Sequence, residues 1–234
     1  MKTARLSAIM ILAFFVSLML AAAVPAVAQA PNLQERAAAL KESLAKSQAL
    51  LKQYEWVETR VLTLKGEEKS RTQNRCYYGA DGKVQKEPIG APPVQEKPKG
   101  LKGKIVEKKK AELADYIQDT LALIKTYIPP DPARIETAKN AGKISVAQDG
   151  PRVKLDIRDY EKPGDMLTFE IDGAKNVLLG LKVSSWLKDA KDAVSMTARM
   201  GQLDDGATYP EEILLSMPSK SLEVKTTNSD YKKM

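Results

Sequence analysis

The 234-residue chain contains no histidine and a single cysteine, Cys76. That removes every nucleophile that relies on an imidazole base, Ser-His-Asp and Cys-His alike, and every imidazole-ligated zinc, copper or haem. One thiol cannot form an internal disulfide; in an oxidising space it is either buried or paired between chains. Cys76 lies in the strand-like run Asn74-Arg75-Cys76-Tyr77-Tyr78, so it is expected in the core as a small apolar side chain. Ser-Lys and two-carboxylate chemistry remain conceivable, but neither leaves a recognisable spacing. The acidic pairs Asp204-Asp205 and Glu211-Glu212 are adjacent residues, which point to opposite faces of a strand or into solvent from a loop. The expectation is a protein that is not an enzyme, with no catalytic residue, no metal and no cofactor.

The N-terminal thirty residues set the compartment. Lys2 and Arg5 precede an apolar run from Ile9 to Val24, followed by Ala26-Val27-Ala28. A basic start, a short apolar middle and a small-x-small exit form a secretory signal peptide. Cleavage is expected after Ala28, giving a leader at 1–28 and a single domain at 29–234 in a periplasmic or secreted location. No transmembrane segment is expected after cleavage. Losing Lys2 and Arg5 with no acid takes the formal charge from +7 to +5. This mild excess, without an aromatic–basic stacking motif or a recognition helix, predicts no nucleic-acid partner.

The elements that must position any site follow in order. Leu33, Ala37, Leu40, Leu44 and Leu51 fall at helical spacing after Asn32, a capping residue. Tyr54 to Leu64, rich in aromatic and β-branched residues, reads as a strand. Lys65-Gly66-Glu67-Glu68 reads as a turn, Ser70 to Gly79 as a second strand, and Val84 to Glu87 as a third beyond the Asp81-Gly82 turn. Residues 88–104 carry Pro88, Pro92, Pro93 and Pro98 with several lysines, which predicts a long loop. A second helix is expected from near Lys104 to Ile128, with Leu113, Ile117, Leu121, Ile124 and Ile128 inward, stopped by Pro129-Pro130. Asp131 and Pro132 open a short third helix that Gly142 closes.

From Lys143 the apolar residues alternate with period two. The sets are Ile144 and Val146; Val153, Leu155 and Ile157; Leu167, Phe169 and Ile171; Val177, Leu179, Leu181 and Val183; Val194, Met196, Ala198 and Met200; and Leu222 and Val224 in a last strand over about 219–227. Strict alternation means one dry face and one wet face, and the dry face needs a cover. The expected fold is therefore α+β: a curved antiparallel sheet, a half-barrel of about eight or nine strands, wrapped around a layer of two to three helices. An outer-membrane barrel is the rival all-β reading, but the second and third helices interrupt it.

Two stretches carry a resemblance to a known family. The first is Tyr54-Glu55-Trp56-Val57-Glu58-Thr59 with Lys65-Gly66-Glu67 and Tyr78-Gly79-Ala80-Asp81-Gly82-Lys83. The second runs from Tyr209-Pro210 through Lys220-Ser221-Leu222-Glu223-Val224 to Asn228-Ser229-Asp230-Tyr231. With the order leader, helix, meander, helices, long meander, the chain resembles the LolA-like superfamily of periplasmic outer-membrane lipoprotein carriers and their RseB-type relatives. The resemblance implies an incomplete barrel whose hydrophobic cavity, closed by helices, takes lipid or lipoprotein acyl chains for transport.

Three functions stay open on the residues themselves. The first is a binding protein that shelters an apolar ligand between sheet and helices, lined by Trp56, Leu62, Leu121, Ile124, Phe169, Leu179, Leu181, Met196 and Met200. Methionines adapt to flexible chains, although each of these side chains could equally fill a close-packed core. The second is a non-enzymatic envelope module with a filled core and a protein partner, meeting it through the 88–104 loop and an exposed Tyr77/Tyr78 pair. The third, an enzyme built on the acidic pairs, has the least support.

Overall fold

The computed structural model describes residues 33–90 and 100–234. The expected leader at 1–28 and its cleavage site lie outside them. The elements are α1 (Leu33–Leu51), β1 (Tyr54–Leu64), β2 (Glu67–Tyr78), β3 (Val84–Pro88), α2 (Gly100–Ile124), α3 (Pro132–Asn140), β4 (Ile144–Asp149), β5 (Arg152–Arg158), β6 (Met166–Asp172), β7 (Val177–Trp186), β8 (Ala193–Gln202), β9 (Thr208–Met217) and β10 (Leu222–Lys233), with a 3-10 turn at Pro218–Lys220 before the last strand.

All ten strands form one antiparallel sheet in the order β3-β2-β1-β10-β9-β8-β7-β6-β5-β4. The sheet is α+β and open, as expected, but has ten strands rather than eight or nine. The additional strand is β9, whose Tyr209-Pro210-Glu211-Glu212 start carries a proline and two adjacent acids and does not alternate. The first and last strands pair inside the sheet, third and fourth from the β3 edge, with Leu62 opposite Val224 and Glu58 opposite Asn228. The chain therefore leaves one edge at β3, runs through α2 and α3, and enters the other edge at β4. The helices are the crossover between the edges.

Local chemistry accounts for the boundaries. Lys65 and Gly66 both have positive φ, 54° and 79°, the two-residue turn that matches the twist of paired strands. The turn is thus shorter than the four residues expected, and β2 starts at Glu67. Pro88 closes β3 opposite Asn74 on an edge strand, where a missing N–H is tolerated. With α2 starting at Gly100, the Pro/Lys-rich connection is shorter than 88–104, and its residues 91–99 lie outside the described set. At its far end α2 stops at Ile124 rather than Ile128. There the hydroxyl of Thr126 and its N–H both donate to the Leu123 carbonyl, at 2.9 and 3.0 Å. This tightens the last turn before the prolines can. Asp131 caps α3 as expected, its side chain accepting from the Ala133 N–H at 2.9 Å.

One face of the sheet is dry and the helices cover it. Leu40 and Leu44 of α1, Ile124 of α2 and Ala138 of α3 pack in one cluster with Ile157, Leu167, Phe169, Leu178, Val183, Val194, Met196, Leu215, Met217 and Leu222 from the six strands β5 to β10. Val146, expected inward, is 47% exposed, because β4 is an edge strand and only Ile144 of its apolar pair packs against the cluster.

Candidate functional site

The cover over the dry face is uneven. Ile124 and, just beyond the helix, Ile128 are buried, whereas Leu113, Tyr116, Ile117 and Leu121 are only partly buried against the same cluster. Residues 107–112 are exposed, and Ile105 is 57% exposed. Helix α2 is thus seated at its C-terminal end and progressively less covered toward its N-terminal half. On the sheet, β1 contributes only half-buried side chains to this cluster, Leu62 and Leu64, whereas β5 to β10 each contribute buried ones together with a half-buried one: Leu155, Ile171, Leu181, Met200, Ile213 and Val224.

The expected lining residues can be placed on this frame. Leu62, Leu121, Ile124, Phe169, Leu181, Met196 and Met200 all belong to the one apolar cluster. Ile124, Phe169 and Met196 lie in its closed part, and Leu62, Leu121, Leu181 and Met200 in its half-buried part. Leu179 does not join it. The pairing of β6 with β7 slips between Glu170 and Ile171, so Ile171 faces Leu178 and Glu170 faces Gly180. Leu179 is the extra residue of a bulge. The expected alternation through Leu179 is therefore wrong, and Leu178 takes the buried place. Trp56 is buried, but in a second cluster with Cys76 and Val84, against Tyr78 and Tyr231.

That second cluster closes one end of the dry face. Two residues of β10, Asp230 and Tyr231, stand opposite Trp56, and Asp230 takes a positive φ of 53°. The bulge turns Tyr231 onto the indole, with stacked rings 5.6 Å apart. Tyr209 lies 4.3 Å from Tyr231 and Tyr78 lies 5.8 Å from Trp56. Gly201 makes room for Tyr209, since a Cβ there would stand 2.8 Å from its ring. The Tyr77/Tyr78 pair is consequently not an exposed patch: Tyr78 packs on Trp56, and the Tyr77 hydroxyl donates to Glu87 at 2.8 Å. Cys76 is fully buried, as expected, and burial pushes its thiol up to about 11.

Between the two clusters runs a polar belt that sequence reasoning missed. Glu58 is 1% exposed and forms ion pairs with Lys86 of β3 and Arg60 of its own strand. Asn74 and Asn228 flank it on β2 and β10, and Thr226 stands opposite Arg60. The signal was the charged pair Glu58 and Arg60 at i and i+2, on the same face as Trp56 and Leu62.

The seated end of α2 is fixed by a polar lock. Asp165, in the turn before β6, accepts from the N–H groups of Tyr160, Glu161 and Lys162 at 2.6, 3.0 and 2.9 Å. The Tyr127 hydroxyl donates to the same carboxylate at 2.5 Å and meets Ser185 at 2.7 Å. Burial, then the bond to Asp165, holds the Tyr127 phenol well above its usual range. Higher on α2, Tyr116 donates to Asp192 at 2.5 Å. Among the described residues no group of three or more His, Cys, Asp or Glu could hold a metal ion, and no helix is long and apolar enough to cross a membrane.

No family model matches the chain, and a search of curated proteins finds no match. Three solved structures are similar to it. A LolA superfamily protein from Nitrosomonas europaea is 7% identical, with 83% of this chain and 93% of that one covered and a TM-score of 0.38. A DUF1329 family protein from Desulfovibrio piger is 8% identical over 84% and 92%, with a TM-score of 0.35. A putative outer membrane lipoprotein-sorting protein domain from Vibrio parahaemolyticus is 12% identical over 82% and 91%, also at 0.35. Coverage is broad; identity and superposition are low.

Proposed function

We propose that this protein, exported by its leader to a periplasmic or extracellular space, shelters an apolar ligand of the acyl-chain class between its sheet and α2. The observation that carries this reading is the graded cover. Several apolar side chains, Leu62, Leu64, Ile213 and Val224 on the sheet and Leu113, Ile117 and Leu121 on the helix, are half-buried against one packed core. Each would gain about 25 cal/mol per Å² of apolar surface covered, and a flexible chain laid along them supplies that cover. The polar lock at Tyr127 holds one end of α2, and Tyr116 ties the helix to Asp192 part-way along.

The reading is tested by extracting the purified mature protein with organic solvent and analysing the extract by mass spectrometry. Acyl lipids in a reproducible ratio to protein support it. A protein that carries none, and takes up none when incubated with lipid vesicles, removes it.

A further inference from the structure

Two atoms, one in the polar belt and one in the aromatic cluster beside it, have no hydrogen-bond partner. Among the buried side-chain polar atoms of the described residues, Trp56 Nε1 and Asn228 Oδ1 form no hydrogen bond. Both residues are 2% exposed. Each such atom forfeits its bond to water on folding, and native structures rarely leave it uncompensated. Two other buried atoms without a hydrogen bond differ in kind: Glu161 Oε2 faces the Arg134 guanidinium as an ion pair, and Thr208 Oγ1 is a rotatable hydroxyl.

The two residues are neighbours in the strand pairing. Asn228 stands directly opposite Glu58 across the β1–β10 pairing, and Trp56 is the next residue on the same face of β1. Residues diagonal to each other across two strands are within reach of large side chains. The Asn228 amide cannot rotate to satisfy itself, because its Nδ2 already donates to the Pro210 carbonyl at 2.7 Å. One free atom is therefore a donor and the other an acceptor.

We infer that the Trp56 indole N–H and the Asn228 side-chain carbonyl form a head-group subsite for an uncharged amide or hydroxyl at the end of the bound acyl chain. This rests on the carrier reading above and adds to it the polarity of the ligand and its direction: tail along Leu62 and Val224, head at the belt. A secondary amide offers both complements at once, a carbonyl for Trp56 and an N–H for Asn228. An anionic head fits worse. The two nearby cations, Lys86 and Arg60, are already paired with Glu58, and an anion beside Asn228 would face the Glu58 carboxylate.

The test uses the delipidated full mature chain and three probes of equal tail length: N-methyl lauramide, methyl laurate and laurate. Each competes for a bound fluorescent fatty-acid probe. The amide is expected to bind about tenfold more tightly than the ester, which lacks the donor, and more tightly than laurate. Trp56→Phe should weaken amide and ester together, by a similar factor. Asn228→Leu should erase the preference for amide over ester. Equal binding of amide and ester by the natural protein would overturn the subsite while leaving the carrier reading in place; a buried water would then account for the two atoms. Tighter binding of laurate would also overturn it, in favour of a cationic head site at Arg60 and Lys86. Displacement by none of the three would overturn both readings.

Discussion

The hydroxyl of Tyr127 donates a 2.5 Å hydrogen bond to Asp165 inside the core, joining the segment just after α2 to the turn before β6. The three N–H groups that converge on the same carboxylate make the turn itself depend on Asp165. Tyr127→Phe leaves that triple contact intact and removes the buried bonds to Asp165 and Ser185, which predicts a loss of about 1–3 kcal/mol. Asp165→Ala strips partners from three backbone donors and is expected to cost more. Urea denaturation of both variants checks the order, and an equal or smaller loss for Asp165→Ala contradicts it.

The bulge in β7 makes neighbouring leucines unequal. Leu178 is buried in the core and Leu179 lies outside it. Leu178→Ala should cost about 2–5 kcal/mol, the range for a buried leucine. Leu179→Ala should cost clearly less, and thermal melts of the two variants distinguish them. Similar losses would mean that the alternation runs straight through.

The Cys76 thiol is raised to about 11 by burial. It should resist a thiol-reactive disulfide at pH 8 while folded and react fully in denaturant. The sign for stability follows from the raised value. The folded state holds the proton more tightly than the unfolded chain, so the contribution is fully present below about pH 8.5. It is lost as pH rises toward 11, and a Cys76→Ala variant should show a shallower fall in thermal midpoint over that range. Rapid labelling of the folded protein would contradict the burial.

On the acid side the sign reverses. The Tyr116 hydroxyl holds the Asp192 carboxyl below its usual range, and the Gly164 N–H and then Lys143 do the same for Asp159. Their contributions are present above the unfolded carboxylate value, about 3.9, and are lost as pH falls below it. Asp192→Asn should flatten the decline in thermal midpoint between about pH 4.5 and pH 2.5. An unchanged slope would show that the bond to α2 is not felt in solution.

Much of the frame was legible in the residues because it rests on local chemistry. Asp131-Pro132 at a helix start, the period-two runs from Ile144 to Met200 and the strand from Tyr54 to Leu64 each state their conformation within a few positions. What escaped depends on partners far along the chain. The bulge at Leu179 is set by pairing with Glu170 and Ile171, which no local pattern records. The strand at Thr208–Met217 is imposed by its two neighbours on a start holding Pro210, Glu211 and Glu212. Within the candidate site the apolar members were legible as one alternating face, whereas Trp56 was separated from them by Glu58 and Arg60. Buried charge on a dry face is visible in sequence only as an i, i+2 coincidence, and its meaning comes from Lys86 and Asn228 on other strands.

The central claim is that an acyl chain lies between α2 and the half-buried residues of β1 and β10. The most direct measurement is a titration of the delipidated mature chain with an environment-sensitive fluorescent fatty acid, compared with a Val224→Trp variant that puts a bulky ring where the chain is proposed to lie. The account predicts saturable one-site binding with a blue-shifted emission, lost in the variant while its thermal midpoint is maintained. Absence of saturable binding, or binding indifferent to the tryptophan at 224, would contradict it.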